Sequence, residues 1–222
     1  MERFRESPVT LVLFGINLAL FLTEEIFRLF FESSLFPILA LSREGLMEGG
    51  WWQLLTHAFL HGNLFHLMAN MVALWFTGPI LEEILGGLRY LLLYMGGAVI
   101  GGLLQTFASP GSIDLVGASG AVCALLVGFG TLLPQLQITA LIFFVIPVKM
   151  KAATLSWIVV ITSFLFWLLG IMRGIGHLAH LGGGIAGFLI CYSYRKLGMV
   201  RGLREISEIP PPLPGSNGTE GF

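Results

Sequence analysis

The sequence predicts an all-α polytopic membrane protein, and three observations predict it. Charged residues make up 11% of the 222 positions, where soluble domains carry about a quarter; hydrophobic residues make up 55%, and the mean hydropathy is +0.85. Apolar stretches of bilayer length recur along the chain and lack the polar face that a soluble helix keeps. Charges, prolines and glycine clusters punctuate them, as expected between spans. A net charge of −1 offers no basic surface, so no nucleic-acid partner is expected, and the lipid bilayer is the environment.

That punctuation gives six expected spans, at 8–30, 58–79, 88–108, 118–134, 152–170 and 176–195. The first follows basic residues, as a signal peptide would, but "TEEIFRLFF" follows it instead of a small-residue cleavage site, so it reads as a retained span. Thr23, Glu24 and Glu25 interrupt it. The connection 31–57, "FESSLFPILALSREGLMEGGWWQLLTH", is half polar and carries Trp51 and Trp52, which suits an amphipathic segment in the outer interface. The run "ITALIFFVIPV" at 138–148 would make a helix of only about 16 Å against a core of about 30 Å, so it is expected as an interfacial or partly buried loop.

Six spans put both termini on one side. Arg3, Arg5, Arg89, Lys149, Lys151, Arg195, Lys196, Arg201 and Arg204 then share that side, against Arg28, Arg43 and Arg173 on the other. The bias places both termini in the cytoplasm. One membrane domain is expected over 1–200, followed by a disordered Pro- and Gly-rich cytoplasmic tail over 201–222. The lack of a targeting extension suggests a bacterial inner membrane. Cys123 and Cys191 lie inside apolar runs and form neither a disulfide framework nor a metal motif.

The five histidines fall in two stretches, "THAFLHGNLFHLMAN" with His57, His61 and His66, and "GHLAHLGGGIAG" with His177 and His180. Ionisable side chains inside spans are costly and point to function. Spans two, four and six all start at the outer face, so His66, Asn70, Ser119 and His180 reach similar depth. A serine hydroxyl becomes a nucleophile when an imidazole takes its proton, and the oxyanion that follows needs amide or backbone N–H donors. Ser119 opens its helix, where N–H groups lack intrahelical partners, and Gly117 and Gly120 allow close approach. Each part also has a plain structural use. Gly-x-Ser-Gly can pack helices, Asn70 can bond a neighbouring helix, and His57 and His61 can anchor the first connection. Glycines 182, 183, 184 and 187 suit close helix packing. The signal is their conjunction.

In that conjunction the chain resembles the rhomboid intramembrane serine proteases, over about residues 8–195. His66 and Asn70, Gly117-Ala118-Ser119-Gly120, His180 with Gly183 and Gly187, and Glu82 with Gly86 stand in the family's order. The resemblance implies a rhomboid-like six-helix bundle with a membrane-associated first loop and a Ser119–His180 dyad. It implies an oxyanion hole from His66, Asn70 and the Ser119 N–H, without metal or cofactor. It also implies transmembrane protein substrates cleaved after a small residue, at a site open to the outer side. Gly117, Gly120, His177 and Cys123 would line that site. Two positions depart from the family pattern: Trp52-Gln53 stands where members carry Trp-Arg, and Cys123 where some carry an aromatic ring against the catalytic imidazole. The alternatives are a pseudoprotease that binds membrane clients, and a metal or haem site built on the histidines; the latter has no nearby carboxylate and no HExxH. A soluble α/β-hydrolase is excluded by Ala121, where Gly-x-Ser-x-Gly needs glycine.

Overall fold

The computed structural model describes residues 6–109, 114–142, 146–172 and 174–201. In chain order the elements are α1 (Pro8–Phe30), the short helices α2 (Phe36–Leu39), α3 (Arg43–Met47) and α4 (Gln53–Thr56), and a 3₁₀ turn (His57–Phe59). There follow α5 (Leu64–Leu85), α6 (Gly87–Ala108), α7 (Ser119–Leu132), β1 (Gln137–Ile142), β2 (Ile146–Lys151), α8 (Ala152–Leu169) and α9 (His177–Lys196). Among the described residues four helices, α1, α5, α6 and α8, are long and apolar enough to cross a membrane; α7 is apolar but shorter, at 14 residues. The tail expected over 201–222 lies, beyond Arg201, outside the described residues, as do Arg3, Arg5 and Arg173.

Local chemistry explains where the helices begin and end. The second starts at Leu64 rather than 58, because Asn63 caps it: its side-chain oxygen accepts from the His66 N–H at 2.9 Å. It runs past Pro79 to Gly86, whose φ of +77° turns the chain straight into α6. The acidic interruption in α1 does not break it. Glu24 is buried and accepts from Ser34 Oγ at 2.7 Å and the Leu35 N–H at 2.8 Å, tying the first connection to the helix. Glu82 does the same at the other end, accepting from the Val9 and Thr10 N–H groups at 2.9 and 2.8 Å and from Thr10 Oγ1 at 2.7 Å. The N-terminus of α1 is thus capped by a carboxylate from α5.

Around the run expected as an interfacial or partly buried loop, the described residues hold two strands, β1 and β2, in an otherwise helical fold. The two strands pair antiparallel, with Thr139 opposite Lys149 and Ala140 opposite Val148. Their β-branched residues favour a strand, and their sides alternate. Ile138, Ala140, Val148 and Met150 are half-buried, while Gln137, Thr139, Lys149 and Lys151 are exposed.

The centre of the bundle is α7, with α6 and α9 packed on it backbone to backbone. A Cβ on Gly97 of α6 would lie 3.1 Å from Ala121 Cα of α7, and one on Gly187 of α9 would lie 2.7 Å from Ala124 Cα of α7. Small residues permit such approach, and in lipid, where apolar burial drives no association, dispersion at close range holds helices together. By contrast α8 buries only Ala152, Ser156 and Ser163 and exposes Trp157, Phe164 and Trp167. It is pinned at one end, where Ser156 Oγ donates to the Leu126 carbonyl at 2.9 Å.

Candidate active site

The serine sits on a turn held from two sides. Gly117 has φ +128°, a conformation that side chains rarely adopt, and it precedes Ala118 and then Ser119 at the first position of α7. A Cβ on Gly117 would lie 2.7 Å from His66 Nε2, so the His66 ring occupies that space. The Gly117 N–H donates to the His57 carbonyl at 2.9 Å, and Leu41 and Leu115 exchange backbone hydrogen bonds at 3.0 and 2.8 Å. The first connection therefore clamps the approach to Ser119. Ser119 is half-buried, and one turn deeper Cys123 is buried.

From the other side comes α9. Its His180, half-buried, follows Ala179, whose carbonyl oxygen would lie 3.4 Å from a Cβ on Gly120. Ser119 and His180 are thus the chain neighbours of two residues that face each other with room for no more than a Cβ between them. The N-terminus of α9 is capped by Gln105 of α6, whose Oε1 accepts from the Leu178 and Ala179 N–H groups at 3.1 and 3.2 Å. His177 contacts the Ile171 carbonyl through Nε2 at 3.0 Å and stands edge-on to Phe166 and to His180, with centroids 5.7 and 6.1 Å apart. A cleft lined by Gln105, Ser109, Phe166, Ile175 and His177 opens beside it.

His57 and His61 each make one hydrogen bond through a ring nitrogen. His57 Nδ1 donates to the Gln53 carbonyl at 2.7 Å, and its ring packs over Gly102 of α6. Gln53, at the departing Trp-Arg position, is itself buried and accepts from the Ser42 N–H at 3.3 Å. His61 Nε2 accepts from Asn70 Nδ2 at 3.1 Å, and the His61 and His66 rings meet edge-on at 5.0 Å. The Asn70 amide also donates to the His66 carbonyl at 3.1 Å.

Burial lowers the pKa of His57 to about 4, against the raising effect of the Gln53 carbonyl. Burial, then the neighbouring His66, lowers that of His61 to about 3. The unfolded chain binds these protons near 6.5, so between that pH and about 4 it holds more protons than the folded chain, and stability falls as pH drops through the window. The thermal midpoint is expected to decline from pH 6.5 to 4, with a shallower decline in His57→Gln. A midpoint that stays level across the window contradicts the burial of neutral imidazoles.

Sequence reasoning missed Gln105 and the His57 carbonyl. The signal for Gln105 was available, as a lone amide inside an apolar span. A backbone carbonyl leaves no trace in residue type. The assembled groups offer a hydroxyl at a helix start, two nearby imidazoles and an amide, which are the parts of an acyl-transfer site.

The family profile of the Rhomboid domain matches residues 48–197. The chain is 38% identical over 143 residues to RHOMBOID-like protein 1 of Arabidopsis thaliana, covering 64% of this chain and 34% of that protein. It is 28% identical over 194 residues to Rhomboid protease GlpG of Pectobacterium atrosepticum, covering 86% and 65%. It is 29% identical over 147 residues to Rhomboid-like protease 3 of Toxoplasma gondii, covering 66% and 53%. The chain thus spans between a third and two thirds of the length of these relatives.

Proposed function

The chain belongs to the rhomboid family, and from that premise we propose that it is an intramembrane serine endopeptidase acting on transmembrane segments of other membrane proteins. The observation that carries the reading is the convergence of three helices on the turn at Gly117–Gly120: His66 of α5 over Gly117, and Ala179 of α9, next to His180, against Gly120. Ser119 Oγ attacks the scissile carbonyl carbon while His180 takes its proton. The oxyanion is received by Asn70, His66 and the Ser119 N–H. Collapse expels the amine, which takes the proton from His180, and a water activated by His180 then hydrolyses the acyl ester.

In this reading α7 and α9 also cross the bilayer, giving six spans. Arg89 at the α5–α6 junction, Lys149 and Lys151 on β2, and Arg195, Lys196 and Arg201 after α9 share the cytoplasmic end. The serine turn and the N-terminus of α9 lie at the opposite, outer end. The thinly packed α8, whose far end borders the cleft beside His177, is the side from which a substrate helix approaches. The glycine-lined floor at Gly117 and Gly120 suits a small residue before the cleaved bond.

The test is reconstitution of the protein in liposomes with a single-span substrate carrying small residues near its outer end. Two products with new termini inside or beside the span are expected by mass spectrometry, together with fluorophosphonate labelling of the peptide containing Ser119. An intact substrate and an unlabelled, folded protein would reject the reading in favour of client binding.

A further inference from the structure

Asn70 has two amide hydrogens, and the structure commits both. One goes to His61 Nε2 and the other to the His66 carbonyl, each at 3.1 Å. These two acceptors are not equivalent. The His66 carbonyl lies four residues earlier on the same helix, where it also takes the Asn70 backbone N–H in the helical ladder. The side-chain bond to it is therefore the dispensable one. His61 is a different kind of partner, outside the helix, 1% exposed, on the segment between the 3₁₀ turn and α5. Its Nε2 accepts only as a bare lone pair, which requires a neutral ring with its proton on Nδ1. The low pKa set by its burial keeps that form present over the physiological range. The same ring meets His66 edge-on at 5.0 Å, and His66 fills the space above Gly117. One imidazole thus touches both side chains assigned to the oxyanion.

We propose that His61 is a positioning residue for the oxyanion site: it holds one Asn70 hydrogen and so fixes which way round the amide lies. When the oxyanion forms, the Asn70 hydrogen on the His66 carbonyl turns to it, while the hydrogen on His61 stays. This rests on the serine-protease reading above and assigns His61 a task beyond anchoring the first connection. No bond is made or broken at His61. Its contribution appears in the rate of the chemical step and not in substrate affinity.

The experiment is a double-mutant cycle in liposomes on one reconstituted transmembrane substrate, with Ser119→Ala as the blank. His61→Leu is expected to lower kcat about tenfold, the worth of one well-placed hydrogen bond, with KM changed by less than about twofold. In an Asn70→Ala background the same substitution is expected to change kcat by less than about twofold, because its target is gone. His61→Gln, whose Oε1 can take the Asn70 hydrogen, recovers most of the rate, whereas His61→Met, of similar length but without that acceptor, does not. Should His61→Leu fail to fold, the Gln and Met variants decide the matter, and equal rates in those two overturn the proposal. Equal losses from His61→Leu in both backgrounds also overturn it, since a purely structural role multiplies through. Cleavage by Ser119→Ala at the wild-type rate would instead remove the protease reading itself, and the inference with it.

Discussion

Ser119→Ala and His180→Ala each lower kcat by at least about 10³-fold while leaving the thermal midpoint near that of the wild type. The size follows from the roles proposed for the two residues. Without the hydroxyl there is no acyl-enzyme, and without the imidazole the hydroxyl keeps its proton at neutral pH. The two losses do not add, because either one disables the same step, so the double variant matches the single ones. His66→Ala or Asn70→Ala, removing one oxyanion donor each, loses about 10²-fold. Stability is spared because Ser119 and His180 are half-buried and sit at the starts of helices held by other contacts, Gln105 in the case of α9. Cleavage rates measured with purified protein in lipid check this, and full activity in Ser119→Ala would assign the chemistry elsewhere.

Gly183→Ala is expected to cost both folding and activity, while Gly184→Ala, one residue on, costs neither. A Cβ at 183 would stand 2.8 Å from the Gly120 carbonyl carbon and 3.1 Å from Gly120 Cα, with the carbonyl oxygen closer still. All of these are backbone atoms of α7, so relief comes only by moving α9 away from α7. Overpacking of this kind costs about 1–3 kcal/mol. The activity loss is larger than the stability loss, because α7 carries Ser119 and α9 carries His180, and a displacement of about 1 Å at reacting groups can cost about 10²-fold. At 184 the nearest atoms are methyl groups, Val160 Cγ2 at 3.3 Å and Val127 Cγ2 at 3.4 Å, and side chains can give. Replacing glycine by alanine within a helix is worth up to about 1 kcal/mol in propensity, so Gly184→Ala keeps its rate and its midpoint is level or higher. Unfolding midpoints and kcat for the two variants check the prediction. Equal behaviour would mean that the Gly120–Gly183 contact does not set the distance between the two helices.

Much of this was open to reading from residue order. Helix positions follow from apolar length and local punctuation, and at five of the six expected stretches a helix begins and ends within a few residues of where charge, Pro and Gly put it. The second began late because Asn63 can cap and His57–Phe59 turns too tightly for an α-helix. The strand pair β1–β2 was missed because a short apolar run has no decisive period, and pairing with a second strand settled it.

The sequence by itself determined the membrane class, the places of the long helices and the identity of the candidate reactive groups, because each rests on local composition or on a motif within a few residues. Only the tertiary structure decided which group serves which. Glu82 caps a helix 72 residues away and Gln105 one 73 residues away. The His57 carbonyl holds Gly117, and Asn70 spends its hydrogens on His61 and His66. Such partners are chosen by which backbones can approach, and in this bundle glycines on α6, α7 and α9 set that approach. A hydrogen bond needs its donor and acceptor within about 3 Å, a condition that no pattern along the chain encodes.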